Sequence, residues 1–343
     1  MQGKFNRRLW LIPGVTLLVI ILLLLVRRPA GKELHDFHNE GHVFGTYYSI
    51  RYLADRDLEP EILQAFQEFD ASLSMFNPAS VISAVNQNRD TLTNAYFEQM
   101  FREAMQVSRL SHGAFDITVA PLVNLWGFGF KHREDVTDAK VDSARALIGY
   151  QRVRLENHHV LKDDPRIMLD ASAVAKGQAC DVIAALLHEQ GVEHYLVDIG
   201  GEVVTRGERS PGEPWRIGIT RPEDDPDGTN DRLQAIVSVR NICMATSGNY
   251  RNFYYEGHQR RSHTIDPRTG YPVRHSLLSA TVVASSCMRA DALATASMVL
   301  GVDSAMLLMK EADAKGYFIV AEGDSLRVVT TKNWDLTTQN ATN

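Results

Sequence analysis

Strand patterns in this chain are concentrated between residues 194 and 284. Short segments rich in β-branched and aromatic residues occur there in series, separated by Gly, Pro and Asp: HYLVDI, EVVTRG, WRIGIT, LQAIVSV and LSATVVA. Helical spacing is found mainly before and after this region. Because strands and helices do not alternate regularly, as they would in a parallel sheet, we expect an α+β fold with mixed or antiparallel sheets and packed helices.

Helices are predicted where apolar residues recur at intervals of three and four. These patterns lie at about 61–73, 95–110, 174–187 and 288–300. Gly191 and Gly301 follow the last two and are suited to end a helix. An early strand is predicted at 43–53, and YFIVAEGDSLRVVT predicts a closing hairpin. No linker or repeat divides residues 37–343, so we expect a single domain with two lobes.

The N-terminal part contains an uncharged apolar segment, LWLIPGVTLLVIILLLLV, at residues 9–26. It is just long enough for a helix that crosses a bilayer, and it lacks the polar face of a core helix. A cleaved signal peptide and a retained anchor both fit this pattern. No small-x-small cleavage site is evident in the VRRPAGK that follows, which favours a hydrophobic anchor helix within residues 1–36. Basic residues flank both ends, so charge does not decide the orientation.

Composition argues against some classes of partner and site. The 343 residues include 36 Lys and Arg against 42 Asp and Glu, so the net charge of −6 gives no electrostatic reason to expect a nucleic-acid partner. The three cysteines, Cys180, Cys243 and Cys287, are scattered and form no C-x-x-C pair. We therefore expect buried free thiols rather than a disulfide framework or a zinc site.

Two segments rich in small residues each contain an acid that has two interpretations. In SHGAFDITVAPLVNLWGFGF, residues 111–130, Asp116 either caps a turn or forms part of the wall of a pocket for a flat ligand. In MLDASAVAKGQACD, residues 168–181, Asp170 and Ser172 precede a predicted helix whose first turn includes Lys176. They either cap this helix, or its N–H groups and Lys176 bind phosphate.

Asp291 and Thr295 lie four residues apart on one face of a predicted helix that is otherwise made mostly of Ala, Leu, Met and Val. Two oxygen-bearing side chains therefore project together from an apolar element. Hard cations such as Mg²⁺ use oxygen ligands of this type, with water and phosphate supplying the rest. A helix cap, or a threonine bonded back to its own helix, explains the pair without a metal. The spacing alone leaves both interpretations open.

The segment RSHTIDPRTGYPV, residues 261–273, predicts a turn and leaves one histidine unexplained. Asp266, Pro267 and Gly270 provide the turn chemistry, since proline fixes φ and glycine permits a positive φ. His263 precedes Ile265 by two residues on what should be a strand, so both side chains should face the same side. The histidine is either a hydrogen-bonded core residue or a residue placed for chemistry.

Together these segments resemble the ApbE family, the FAD:protein FMN transferases. The resemblance extends from FGTYYSI to the ADALAT helix, and its blocks stand in the family's order: LSMFNPASVISAVN, GAFDITVAPLVNLWGFG, DASAVAKGQACD, LVDIGGEV, ATSGNYRNFY, SHTIDPRTGYPV and ADALATA. A single block would be weak support, whereas the ordered series is specific. By this resemblance, residues 37–343 form an ApbE-like flavin transferase domain, preceded by the anchor or signal segment at 1–36.

The resemblance implies a Mg²⁺-dependent transferase. It would break the pyrophosphate of FAD, release AMP, and join FMN to a Thr or Ser hydroxyl of another protein by a phosphoester. The family's setting implies a periplasmic domain anchored to a bacterial inner membrane, acting on subunits of flavin-dependent electron-transport complexes. An FAD pyrophosphatase that forms FMN and AMP with water as acceptor would share these sites. A non-catalytic flavin-binding protein is a further alternative.

The family's site residues carry over onto matching positions of this chain. His263 would be the catalytic histidine, which suits the activation of a hydroxyl whose pKa is far above neutrality. Mg²⁺ would be bound by Asp291, Thr295 and the main-chain carbonyl of Ala173. The FAD site would include Phe44, Phe76, Ala114, Phe115, Asp116, Asp170, Lys176 and Ile265. Phe76 stands where many relatives carry Tyr or Trp, so ring stacking is retained but a hydroxyl contact is lost.

Overall fold

The structure is a computed structural model that describes residues 33–129, 136–224, 232–250, 253–256 and 259–341. The apolar segment at 9–26, and with it the predicted anchor helix, lies outside these residues. Across the described ranges, no helix is both long enough and apolar enough to cross a membrane. The anchor stays a prediction.

An eight-stranded antiparallel sheet forms the centre of the fold. In spatial order its strands are β1 (His35–Val43), β2 (Thr46–Ala54), β5 (Tyr195–Ile199), β6 (Glu202–Arg206), β9 (Cys243–Gly248), β12 (Leu277–Ala284), β13 (Lys315–Glu322) and β14 (Ser325–Thr330). The predicted closing hairpin corresponds to β13 and β14. The central strands place their ends, and the turns between them, beside the cavity described below.

Three smaller sheets accompany the central one. A three-stranded sheet contains, in spatial order, β15 (Thr337–Asn340), β8 (Leu233–Val239) and β7 (Trp215–Thr220). Two hairpins are formed by β3 (Val153–Glu156) with β4 (His159–Lys162), and by β10 (Phe253–Glu256) with β11 (Gln259–Ser262). All pairings within these sheets are antiparallel.

The helices of the described ranges include every helix predicted from the sequence. They are α1 (Glu59–Leu73), α2 (Val81–Asn86), α3 (Ala95–Leu110), α4 (Ala120–Leu125), α5 (Asp138–Arg145), α6 (Ala175–Glu189), α7 (Cys287–Leu300) and α8 (Val302–Glu311). The prediction that Gly191 follows the end of α6 is confirmed, since it has a φ of +79° directly after the last turn. The helices that were not predicted are α2, α4, α5 and α8, and they are short.

The early strand predicted at 43–53 is confirmed as β2, Thr46–Ala54, whereas Val43 at its predicted start is the last residue of β1. Val43 pairs with Thr46 across a turn made of Phe44 and Gly45, whose φ angles are +53° and +76°. Two consecutive positive φ angles are the geometry of the tightest hairpin turns. Only the predicted start was wrong, because Phe44 and Gly45 form a turn ahead of the strand.

Two main cores stabilise the fold on opposite faces of the central sheet. The larger one joins the helices to the sheet, and α7 lies within it, packed on β9, β12 and α6. This position explains why α7 is apolar on almost all sides. On the other face, the three-stranded sheet packs residues such as Trp215 against Met244 and Tyr317. The α+β class with antiparallel sheets in a single domain is confirmed, and the division into two lobes stays a prediction.

The three cysteines are free thiols, as expected. Cys180 on α6 and Cys287 on α7 are buried, whereas Cys243 on β9 is partly exposed. Burial raises the pKa of all three thiols.

Two neighbouring leucines on α8 test the position of the larger core. Leu308 is 3% exposed within it, whereas Leu307 is 65% exposed. Leu308→Ala should lower the free energy of unfolding by about 2–5 kcal/mol, because it removes buried methyl groups and leaves a cavity. Leu307→Ala, the matched control, should change it by less than about 0.5 kcal/mol. Urea denaturation of both variants measures the difference, and equal effects would contradict this placement of α8.

Candidate active site

A cavity of about 460 Å³ lies where α6, α7 and β9 meet the loops that follow α3 and β11. All the predicted site residues except Phe44 and Phe76 line it: Ala114, Phe115, Asp116, Asp170, Ala173, Lys176, His263, Ile265, Asp291 and Thr295. These residues come from segments that are far apart in the sequence. The fold therefore brings the predicted catalytic, metal-binding and flavin-binding residues to a single place.

Phe44 and Phe76 lie outside the lining of this cavity. The ring of Phe44 packs against those of Phe66 and Phe69, with ring centroids 5.7 and 5.4 Å apart. Phe76 follows α1 and is 78% exposed. Their predicted part in the flavin site stays a prediction.

Asp116 fixes a turn and also lines the cavity, whereas its part in binding a flat ligand stays a prediction. Its Oδ1 accepts hydrogen bonds from Thr118 N and Oγ1 at 2.8 and 2.6 Å, and its Oδ2 accepts one from Tyr150 N at 2.8 Å. The carboxylate thus fixes its own turn while lining the cavity. Burial raises its pKa, and these hydrogen bonds oppose that effect.

The beginning of α6 differs from the capped helix that was one interpretation of Asp170 and Ser172. Val174 precedes the helix, and no side chain caps it. Asp170 Oδ1 instead accepts a hydrogen bond from Ser172 N at 2.8 Å, which stabilises the preceding turn. The capping interpretation was therefore wrong, because the chain forms one more turn before α6 begins.

Helices α6 and α7 are joined at their N-terminal ends, because an aspartate of each helix accepts hydrogen bonds from backbone N–H groups of the other. Asp291, on α7, accepts a hydrogen bond at its Oδ2 from Gly177 N at 3.1 Å. Asp181, on α6, accepts hydrogen bonds from the N–H groups of Cys287 and Met288, each at 2.9 Å. Carboxylates are favourable partners for the unpaired N–H groups of a first helical turn. These contacts fix Asp291 beside the beginning of α6.

Gly177 permits the close approach of the two helices. A Cβ atom at this position would lie 2.3 Å from the carbonyl oxygen of Cys287 and 2.9 Å from Cβ of Asp291. Any other side chain would have to push α7 away. The glycine of the AKGQ segment is therefore required by packing.

Lys176 lies between two acidic residues, one of which sequence reasoning did not identify. Its Nζ is 3.0 Å from Oε1 of Glu202, at the start of β6. Burial lowers the pKa of Lys176, but the carboxylates of Asp291 and Glu202 raise it by more. Burial also raises the pKa of both acids, and Lys176 opposes this. The glutamate was visible in LVDIGGEV, but no local pattern in the sequence connects it to Lys176.

Asp291 and Thr295 face the cavity and do not cap α7. Ser286 is the cap, and its Oγ accepts a hydrogen bond from Arg289 N at 3.1 Å. Thr295 Oγ1 is 3.2 Å from Oγ of Ser247, a β9 residue that sequence reasoning also missed. In the described residues, no three His, Cys, Asp or Glu side chains form a metal-binding group.

His263 directly follows β11, and it does not lie on the strand that was predicted for it. Ile265 forms only an isolated bridge with Pro272, which closes a short hairpin. His263 and Ile265 nevertheless both line the cavity, which agrees with the prediction that their side chains face the same side. The ring of His263 meets that of Phe128 edge to face, with centroids 6.3 Å apart. Phe128 also lines the cavity, and it lies in the segment at 111–130 that one interpretation made a pocket wall, although the residue itself was not singled out.

The predicted turn after Ile265 is confirmed and is anchored to the rest of the protein. Gly270 has a φ of +86°, and its N–H donates to the carbonyl of Asp266 at 2.7 Å. Trp126 Nε1, at the end of α4, donates to the carbonyl of Gly270 at 2.8 Å. This contact connects the histidine segment to the small core formed by α4 and α5.

Comparison with known proteins gives consistent matches. A protein-family model for the ApbE family matches residues 44–318. The chain is 37% identical over 321 residues to the FAD:protein FMN transferase of Vibrio cholerae serotype O1, covering 90% of this chain and 95% of that protein. It is 33% identical over 328 residues to the FAD:protein FMN transferase of Haemophilus influenzae, covering 90% and 93%.

Solved structures show the same likeness. The flavin transferase ApbE from Vibrio cholerae has a TM-score of 0.77 at 34% identity, covering 88% of this chain and 98% of that one. The flavinyl transferase ApbE from Pseudomonas stutzeri, in its apo form, has a TM-score of 0.78 at 31% identity, covering 88% and 96%. The antiparallel α+β architecture described above is therefore similar to that of solved flavin transferases.

Gly177→Ala distinguishes packing from helix propensity, because the two predict changes of opposite sign in the free energy of unfolding. Alanine is the better helix former by about 1 kcal/mol, so propensity alone predicts a more stable protein. We expect instead a loss of about 1–3 kcal/mol, because the added Cβ collides with the backbone of α7. The free energy of unfolding in urea measures the effect. A stabilised variant would contradict the contact between α6 and α7.

Proposed function

The chain belongs to the ApbE family, and from that premise we propose that it is an FAD:protein FMN transferase whose active site is the cavity described above. The proposed reaction transfers FMN from FAD to a Thr or Ser hydroxyl of an acceptor protein and releases AMP. One observation carries the assignment of the site. His263, Lys176 and Asp291, which come from three separate parts of the chain, line the same cavity.

The residues predicted to bind Mg²⁺ fit that ion by their chemistry. Asp291 provides a carboxylate, Thr295 a hydroxyl and Ala173 a main-chain carbonyl, and all three residues line the cavity. Mg²⁺ prefers such hard oxygen ligands and commonly takes only a few from protein, with water and phosphate completing the set. When bound, Mg²⁺ would neutralise the negative charge that develops on a transferring phosphoryl group.

The cavity walls suit a nucleotide that carries a flat ring system. Its volume lies within the range of about 300–1,000 Å³ that is usual for small-molecule sites. Phe115, Ile265 and Val299 provide apolar surface, while Lys176 provides a cation for phosphate oxygens. An ammonium group has three donors, and the contact with Glu202 uses one of them.

We assign proton transfer to His263. The acceptor hydroxyl oxygen attacks the phosphorus of the FMN half of FAD, and His263 takes the proton of that hydroxyl. The bond between this phosphorus and the bridging oxygen breaks, and AMP leaves with the bridging oxygen. His263 then returns its proton to AMP or to solvent. The same residues would act on water if no acceptor were bound, which gives the hydrolase reaction.

The setting of the protein follows from the same proposal. We place the catalytic domain on the periplasmic side of a bacterial inner membrane, with residues 1–36 as the anchor. Its acceptors would be subunits of flavin-dependent electron-transport complexes.

The direct test is the mass of an acceptor protein after incubation with the full chain, FAD and Mg²⁺. Transfer predicts that the acceptor gains the mass of one FMN unit, and that a variant acceptor whose modified Thr or Ser is replaced by Ala gains nothing. Free FMN and AMP with an unmodified acceptor would contradict transfer and favour hydrolysis. An acceptor-independent binding signal without any product would contradict both.

His263→Ala should slow transfer by about 10²- to 10⁴-fold, the usual contribution of a general base. FAD affinity should change little, because the proposed role of the ring is proton transfer. Single-turnover rates and the FAD dissociation constant separate the two effects. His42→Ala is the matched control, since His42 is an exposed histidine on β1 outside the cavity. Transfer at the wild-type rate in His263→Ala would remove this residue from the mechanism.

A further inference from the structure

Glu202 is an almost fully buried carboxylate with only one of its oxygens paired. Its side chain is 3% exposed, and Oε1 lies 3.0 Å from Nζ of Lys176. Within the described residues, Oε2 has no hydrogen-bond partner. A buried carboxylate is costly unless it is paired. Glu202 lines the same cavity as Lys176 and Asp291, and neither its position nor its contacts are explained by the transfer chemistry above.

Two carboxylates compete for the ammonium group of Lys176. Asp291 attracts the ammonium group electrostatically. The ammonium group nevertheless forms its ion pair with Glu202, at 3.0 Å. Asp291 instead uses its Oδ2 to accept the N–H of Gly177. An ammonium paired with Asp291 would reduce the negative charge that this carboxylate offers to a bound cation, so the two would compete.

The backbone holds Glu202 in a fixed place. It begins β6, an inner strand of the central sheet, directly after a turn in which Gly201 N donates to Asp198 Oδ1 at 2.9 Å. The thiol of Cys180, on α6, donates to the carbonyl of Glu202 at 3.1 Å. The carboxylate is thus fixed relative to the helix that carries Lys176.

We propose that Glu202 is a positioning residue that holds the Lys176 ammonium away from Asp291 and so keeps the Asp291 carboxylate available to Mg²⁺. This inference rests on the proposed function, since it assumes that Mg²⁺ binds at Asp291. Without Glu202, Lys176 pairs with Asp291, and the metal must displace it. Residues that support metal ligands in this way commonly contribute about 10- to 100-fold to metal affinity.

The test measures Mg²⁺ binding directly, as the shift in the unfolding temperature of the full chain with FAD present and acceptor absent. Glu202→Gln removes the charge that holds Lys176 and should raise the apparent dissociation constant for Mg²⁺ about 10- to 100-fold. Glu202→Asp should do the same, because its carboxylate keeps the charge but is one methylene too short to keep the contact with Lys176. Glu193→Gln is the matched control for the loss of a carboxylate that pairs with a cation, because Glu193 contacts Arg206 of β6 and lies outside the cavity lining, and it should have little effect.

A double substitution isolates the role of Lys176. In a Lys176→Gln background there is no ammonium to hold, so the further change Glu202→Gln should cost Mg²⁺ affinity little. If it costs as much as in the wild-type background, Glu202 acts independently of Lys176 and the inference is wrong. Wild-type affinity in Glu202→Gln would also overturn it, because the charge that pairs with Lys176 would then have no effect on Mg²⁺ binding. Unfolding temperatures without Mg²⁺ show whether each variant is folded.

Asp291→Asn separates this inference from the proposed function. If it abolishes the Mg²⁺-dependent shift while the Glu202 variants bind normally, only the inference fails. If the shift is absent in the wild-type protein, or is unchanged in Asp291→Asn, the proposed metal site itself fails and the role of Glu202 fails with it.

Discussion

The arrangement of the site depends on the close contact between the first turns of α6 and α7. Gly177 makes this contact possible, since a side chain there would collide with the carbonyl of Cys287. Two hydrogen bonds then fix the helices at their N-terminal ends. Asp291 accepts the N–H of Gly177, and Asp181 accepts the N–H of Cys287. Lys176 and Asp291, two of the charged residues of the cavity wall, are placed by this single junction.

The sequence predicted the longer helices of the fold and missed strands that have no periodicity of their own. Helices such as α3 carry enough turns for an apolar stripe to be recognised. In contrast, β9 reads CMATSG, which has no alternation of apolar and polar residues, yet it lies between β6 and β12 in the central sheet. Its strand conformation is determined by tertiary pairing, which local patterns do not contain.

Most of the candidate site was predicted residue by residue from motif blocks, whereas the partners of these residues were not. Asp291 was expected to bind a metal or cap a helix, but its hydrogen-bond donor, Gly177 N, is 114 residues away. Glu202 was quoted only as part of a block, because its pairing with Lys176 is created by the meeting of α6 and β6. Phe44 and Phe76 were carried over from the same blocks and lie outside the cavity lining. Motif order thus indicated which segments form the site, but the contacts between segments required the fold.

The most direct test of the proposed active site is a crystal structure of the protein with FAD and with Mn²⁺ in place of Mg²⁺. Anomalous scattering then locates the metal. We predict one metal bound by Asp291, Thr295 and the carbonyl of Ala173, in contact with the pyrophosphate of FAD, and we predict that His263 lies beside the phosphorus of the FMN half. A metal bound elsewhere in the chain, or FAD bound with its pyrophosphate outside the cavity, would contradict it.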